Sequence, residues 1–122
     1  NDTHGHAVGD TVLISVAERI LRNVRGFDLA VRYGGEEFVV VMPDTDMTVA
    51  APVAQRLCRR MAETPVPVEA DVDELTVTLS IGVAQSRDTA ETPAQLLKRA
   101  DAALYVAKNA GRNNVVTDPP PA

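Results

Sequence analysis

An α/β (α+β) domain, with helices packed on a small, antiparallel-centred sheet, is the fold class this sequence predicts. Three observations carry that expectation. Stretches with helical apolar spacing alternate with short strand-like runs, two of those runs are separated by little more than a Gly-Gly turn, and proline or glycine marks most junctions. The length of 122 residues suits one domain with a single core.

The first helix is expected from Asp10 to about Val24, where Leu13, Val16, Ala17, Ile20, Leu21 and Val24 form one apolar stripe. Leu29 to Tyr33 reads as a strand, Gly34-Gly35 as a turn, and Phe38 to Met42 as a strand covered on both faces. Pro43-Asp44 ends it. A second helix fits Thr48 to Ala62, with Val49, Val53, Leu57 and Met61 inward and Pro52 in its first turn. Leu75 to Val83 alternates, placing Leu75, Val77, Leu79, Ile81 and Val83 on one face of a strand, and Val66 to Glu69 can pair with it as a hairpin arm. Thr92-Pro93 opens a third helix that runs through Leu96, Leu97, Ala100, Leu104 and Ala107 and stops at Gly111. Val115-Val116 adds a last short strand. With one more strand ahead of Asn1 the order would be the split βαββαβ arrangement. The domain is expected over residues 1–117, and the Pro-rich end, 118–122, as an extended, disordered tail.

Composition narrows the function. A net charge of −5 is wrong for a protein that grips a nucleic-acid backbone, so no nucleic-acid partner is expected. Cys58 is the only cysteine, which excludes an internal disulfide and suits a reducing compartment. No apolar run approaches membrane-spanning length, and a cytoplasmic location is expected. Aromatics are limited to Phe27, Tyr33, Phe38 and Tyr105, so aliphatic side chains must build the core.

Four short segments carry chemistry. Gly34-Gly35-Glu36-Glu37 places flexible backbone beside two adjacent carboxylates. A plain hairpin turn explains the glycines, but two glutamates opening a buried strand are awkward, because alternation should aim one of them toward the core or a cleft. A divalent metal partner explains them better, since Mg²⁺ takes one or two protein carboxylates and completes its shell with phosphate oxygens and water. Arg25-Gly-Phe-Asp28 places a guanidinium at a helix end, where the dipole alone would favour it. Asn1-Asp2-Thr3-His4-Gly5-His6 and Asp10 form a loop leading into a helix; Asp10 can be a cap and Asn1 a turn former. His4 and His6 on this glycine-containing loop read as structural, and no zinc site is expected. Lys108-Asn-Ala-Gly-Arg-Asn113 puts cations at a helix C-terminus, again a favourable place without any ligand.

Taken together these segments resemble the GGDEF family of diguanylate cyclases. Gly34-Gly35-Glu36-Glu37-Phe38 matches its signature in the GGEEF spelling, Asn1 to Asp10 its NDxxGHxxGD segment, Arg25 to Asp28 its RxxD motif, and Lys108 to Asn113 its KxxGRN run. Thr78-Leu-Ser-Ile-Gly82 resembles the family's SIG strand, with a packing role. The likeness covers the chain from Asn1 to about Val116 and is greatest to output domains of response regulators.

The resemblance implies a ferredoxin-like, palm-type βαββαβ cyclase domain that condenses two GTP into cyclic di-GMP and two pyrophosphates. It implies a homodimer, because each domain holds one GTP, and two Mg²⁺ or Mn²⁺ ions per active site. Glu36 and Glu37 become metal-binding and catalytic residues. Asn1 and Asp10 contact guanine, Gly34 and Gly35 admit phosphates, and Lys108 and Arg112 grip the triphosphate. Arg25, Asp28 and Arg56 form an inhibitory site for cyclic di-GMP, although Arg56 is equally readable as a solvated helix cation. An upstream receiver or other sensory domain is implied as a partner. The family also carries an aspartate on a strand just before the NDxxGH segment, which has no counterpart here. The expectation is therefore a domain incomplete at its N-terminus, with half a metal site and weak or no turnover as this chain alone. The alternatives are a catalytically silent cyclic di-GMP sensor and, from another class, a ferredoxin-like interaction module.

Overall fold

Buried side chains of two helices, Val16 and Ile20 from one and Leu57 and Met61 from the other, form the centre of the protein. The structure is a computed structural model that describes residues 6–67 and 74–118, with side chains over 9–67 and 75–118. In chain order the elements are α1 (His6–Asn23), β1 (Leu29–Arg32), β2 (Phe38–Val41), α2 (Met47–Glu63), β3 (Val66–Pro67), β4 (Glu74–Leu75), β5 (Ser80–Ala84), α3 (Pro93–Asn109) and β6 (Asn114–Asp118). The expected mixed α/β order is present. Ala30, Phe38 and Val40 from β1–β2 and Val77, Leu79 and Ile81 from the β5 side pack partly buried against the central cluster.

The strands pair in twos. β1–β2 and β3–β4 are antiparallel, and β5–β6 is parallel in the register Ser80↔Asn114 to Ala84↔Asp118. The parallel pair follows from α3, whose length carries the chain back to the starting end of β5. The hairpin arm expected from Val66 is present, and its residues 68–69 lie outside the described stretch.

Several boundaries differ from the sequence expectation, each for a local reason. α1 begins at His6 rather than Asp10, so Asp10 lies inside the helix and cannot cap it. Asp46 caps α2 by accepting the Thr48 N–H at 3.1 Å. The helix therefore starts at Met47, and Pro52 falls in its second turn, where it withholds the N–H that Thr48 would have accepted. Leu21 (59% exposed) and Val49 (44%) lie on solvent-facing sides of their helices, so the apolar stripes are narrower than the sequence suggests. The long strand expected from Leu75 to Val83 is broken into β4 and β5 by residues 76–79. Asp118 is the last residue of β6, so it belongs to the fold rather than to the tail.

β5 is half-buried along its whole length instead of alternating, because it is covered from both sides. Ile81 turns to the α1–α2 cluster, while α3 lies on the other face. The contact with α3 is backbone on backbone. A Cβ on Gly82 would sit 2.2 Å from the Ala100 carbonyl oxygen and 2.3 Å from the Leu104 nitrogen. The helices thus flank β5 rather than lining one face.

α3 is fixed at its start by a reciprocal cap: Gln95 N–H donates to Thr92 Oγ1 at 3.1 Å, and Thr92 N–H donates to Gln95 Oε1 at 2.9 Å. Arg99 ties this helix to the ends of β5 and β6. Its guanidinium donates to both Glu91 carboxylate oxygens at 3.0 Å, to Asp118 Oδ2 at 3.2 Å, and to the Gln85 and Asp118 carbonyls at 2.8 and 3.1 Å. The Arg87 backbone N–H, and after it Arg99, hold the Glu91 carboxyl below its ordinary range.

Two outcomes follow. Gly82→Ala forces β5 and α3 apart and is expected to lower unfolding free energy by about 3 kcal/mol or more; a urea midpoint close to the parent's would contradict the contact. A carboxylate whose folded pKa is lowered contributes stability above the unfolded value, about 4.3 for Glu, and loses it as pH falls through the folded value. The thermal midpoint of the parent should therefore fall on acidification below about pH 4.3, and Glu91→Gln should flatten that fall.

Candidate functional site

The hairpin β1–β2 presents its turn to solvent. Arg32 and Phe38 are the last cross-strand partners, and the Tyr33 N–H donates to the Glu37 carbonyl at 2.7 Å to close the loop. Gly34 has φ +83°, a left-handed conformation that suits glycine at this bend. Gly35 has nothing within 4 Å of where a Cβ would stand, so packing inside the chain does not demand a glycine there. Its bare face is open to an approaching group.

Glu36 and Glu37 are both exposed, and among the described residues neither side chain has a hydrogen-bond or ion-pair partner. Of the two directions expected for one carboxylate, the core or a cleft, the core is excluded by this exposure. β2 begins at Phe38, so the glutamates belong to the turn, where strand alternation does not operate. Arg32, a residue that sequence reasoning passed over, donates from Nε and Nη2 to the Gly35 carbonyl at 3.1 and 2.6 Å. Its place two residues before the Gly-Gly pair was the available signal.

Beside the hairpin, α1 and β1–β2 enclose an open groove of about 380 Å³. Asp10 and Arg32 are its charged members, and Leu13, Ala17, Ala30 and Phe38 supply apolar wall. The structure thus brings Asp10 to the same side as the Gly-Gly turn. Asn1 lies outside the described residues. Lys108 is in the last turn of α3, and Arg112 follows Gly111 in the turn to β6. Arg112 (φ +63°) and Asn113 (φ +48°) are both left-handed, and the Arg112 N–H donates to the Ala107 carbonyl at 3.1 Å. No ion pair or hydrogen bond joins Lys108 or Arg112 to the hairpin among the described residues.

Arg25, Asp28 and Arg56 gather at the C-terminal end of α1. Arg25 holds Asp28 in a fork, with Nε at 3.1 Å from Oδ2 and Nη2 at 3.0 Å from Oδ1, while its backbone N–H reaches Oδ2 at 2.8 Å. Nη2 also bonds Thr45 Oγ1, and the guanidinium lies 4.4 Å from the centre of the Phe27 ring. The Asp28 side chain is fully enclosed and Arg25 is 32% exposed. The Arg25 side-chain bond, opposed by burial, holds the Asp28 carboxyl below its ordinary value. Arg56 Nη2 donates to the Asn23 carbonyl at 2.9 Å, two residues before Arg25, and its Nε is buried without a partner among the described residues. Asp28 therefore stands behind Arg25 as its holder, and the open edge of Arg25 faces outward.

The chemistry available is that of hard oxygen ligands and phosphate-type anions. Among the described residues no set of three His, Cys, Asp or Glu side chains converges to enclose a metal. Glu36 and Glu37 offer carboxylate oxygens on an accessible tip, which fits Mg²⁺ or Mn²⁺ shared with a ligand's phosphates. Cys58 is buried, and burial pushes its thiol up, so it is no nucleophile. No helix among the described residues is long and apolar enough to cross a membrane.

The sequence and the fold match those of known proteins. Residues 1–114 match the family described as "Diguanylate cyclase, GGDEF domain". The chain is 49% identical over 116 residues to the response regulator PleD of Caulobacter vibrioides, covering 95% of this chain and 26% of that protein. It is 43% identical over 115 residues to diguanylate cyclase A of Treponema denticola, covering 94% of this chain and 30% of that one. The chain thus spans between a quarter and a third of these relatives. Among solved structures, the diguanylate cyclase SiaD of Pseudomonas aeruginosa, crystallised with its activator SiaC, superposes with a TM-score of 0.87 at 40% identity, over 96% of this chain and 44% of that one. The GGDEF domain of DgcB from Caulobacter crescentus, in complex with c-di-GMP, gives 0.87 at 34% identity over 96% and 66%. A hairpin tip bearing Gly-Gly-Glu-Glu, on a fold shared with these proteins, places this chain in the GGDEF family.

Proposed function

We propose that this chain is the nucleotide-handling domain of a diguanylate cyclase, which joins two GTP molecules into cyclic di-GMP. The observation that carries the reading is the pair of free, exposed carboxylates, Glu36 and Glu37, on a turn whose glycines leave the approach open. In the proposed reaction the 3′-oxygen of one GTP forms a bond to the α-phosphorus of the other, the bond to the β-phosphate breaks, and pyrophosphate leaves. The same exchange in the opposite sense closes the ring and releases the second pyrophosphate. Two copies of the domain must face each other for this, each supplying one GTP.

The chain's residues have distinct tasks in that scheme. Glu36 takes the proton from the attacking hydroxyl, and Glu37 supports it. Two divalent ions, Mg²⁺ or Mn²⁺, held by Glu36 and Glu37 with further ligands, supply neutralisation of phosphate charge when bound. The Gly34-Gly35 backbone lies against the phosphates, and Lys108 and Arg112 balance the triphosphate charge. Asp10 at the groove, with Asn1, accepts hydrogen bonds from the guanine amino and imino groups, which is what a carboxylate and an amide oxygen can do. Arg25, held in orientation by Asp28 and accompanied by Arg56, offers its exposed edge to a phosphate of the product. Product inhibition would act through that second site, just past the C-terminal end of α1, whereas Asp10 lies near the start of that helix. Upstream receiver or sensory modules would act on how two such domains meet.

Calorimetric titration of the chain with GTP and with cyclic di-GMP tests this reading. Binding of both is expected; cyclic di-GMP alone would make the domain a silent sensor, and neither ligand would leave an interaction module. Arg25→Ala should weaken cyclic di-GMP binding about tenfold or more while GTP affinity holds. The GTP reading serves as the folding control, because the substitution strands the enclosed Asp28 carboxylate. In a protein that turns over, Glu36→Gln should cut metal-dependent product formation about a hundredfold or more with the fold intact; turnover near the parent's would remove Glu36 from the mechanism.

A further inference from the structure

Arg32 lies next to two glutamates yet binds neither of them. Its guanidinium donates to the Gly35 carbonyl from two nitrogens, at 3.1 and 2.6 Å, although an ion pair with Glu36 or Glu37 on the same turn would be the electrostatically favoured use of an exposed arginine. Among the described residues neither carboxylate has an ion-pair partner. The bond has a consequence for the backbone. The peptide joining Gly35 to Glu36 is planar and trans, so its C=O and its N–H point in opposite directions. With the carbonyl drawn back onto Arg32, the Glu36 N–H must point away from Arg32. Neither glycine restrains this peptide by side-chain packing, since open space surrounds both. Among the described residues Arg32 is the only side chain that hydrogen-bonds the turn's backbone.

From this geometry we infer that Arg32 is a positioning residue: its clamp on the Gly35 carbonyl orients the Glu36 amide to receive a nucleotide phosphate oxygen. The inference rests on the cyclase reading for the identity of the ligand. The clamp itself does not depend on that reading. A peptide N–H held outward is a neutral donor that can sit beside two carboxylates without attracting them into an ion pair, whereas a cation in the same place would. The arginine reaches the turn from the groove it shares with Asp10, and the Glu36 N–H faces the other side of the tip, where the phosphates of a nucleotide seated in that groove would pass.

The test uses the whole chain, Arg32→Ala, and GTP as the probe, with guanosine and cyclic di-GMP as comparisons. In the free protein the Gly35 carbonyl ¹³C shift is expected to move on substitution, because it loses its donors. GTP affinity should fall about tenfold, the scale of one good hydrogen bond to a charged group, with guanosine and cyclic di-GMP affinities unchanged. Arg32→Lys keeps the positive charge but not the two-nitrogen clamp, so it should lose GTP affinity as Arg32→Ala does. Parent-like GTP affinity in Arg32→Lys with the carbonyl shift still moved would instead mark a direct cation–phosphate contact and overturn the positioning role. An unmoved carbonyl shift overturns the clamp whatever GTP does. A parent chain without GTP affinity overturns the ligand together with the cyclase reading, while the carbonyl shift still decides whether the clamp exists.

Discussion

The approach of β5 to α3 at Gly82 is the constraint on which the rest of the structure depends. Backbone meets backbone there, and any side chain would occupy space already held by Ala100 and Leu104. Once α3 lies that close, its far end delivers the chain to β6 in parallel register with β5. The turn that carries Arg112 is then fixed at the start of that strand, between Gly111 at φ +110° and Asn114. The Arg99 bonds lock the other end of the same strand pair. The position of the Lys108–Arg112 cations is thus a packing result.

The hairpin obeys the opposite logic. Only Phe38, Val40 and Ala30 engage the central cluster, while Leu29, Val31 and Val41 remain largely exposed. Its tip has almost no internal packing to satisfy, so the conformation there rests on one left-handed glycine, one backbone bond from Tyr33 and the Arg32 clamp. The turn is held by a few polar contacts, with both carboxylates exposed at its summit, so local backbone geometry rather than burial sets its shape.

Much of this was legible in the sequence, and the failures have physical causes. The helices, the Gly-Gly hairpin, the Thr92 cap and the Gly111 stop were readable because each depends on local chemistry. The start of α1 was misplaced because Asp10 is a good cap by type, and type alone cannot tell a cap from a helix interior. The alternation from Leu75 to Val83 read as one strand, whereas the backbone leaves the ladder at 76–79 and resumes it against β6, whose paired residues (Ser80↔Asn114 to Ala84↔Asp118) lie far along the chain where periodicity cannot reveal them. At the candidate site the residue types were visible, but their orientation was not. Glu36 and Glu37 read as the opening of a strand, and only the register Arg32↔Phe38 shows that they stand in the turn.

The same limit governs the α1 end. Arg25 and Asp28 are three residues apart, a spacing that a helix-dipole argument and a ligand-site argument explain equally well. The structure separates the two partners by burial: Asp28 is enclosed and Arg25 keeps an open edge. A carboxylate held below its ordinary range by that arginine remains charged at neutral pH and keeps the guanidinium in one orientation. An arginine fixed by an enclosed acid, a threonine hydroxyl and an aromatic ring has already lost the rotamer freedom that binding would otherwise cost it. The fork that stabilises the turn is therefore also what fixes Arg25 in one orientation, with part of its guanidinium still exposed.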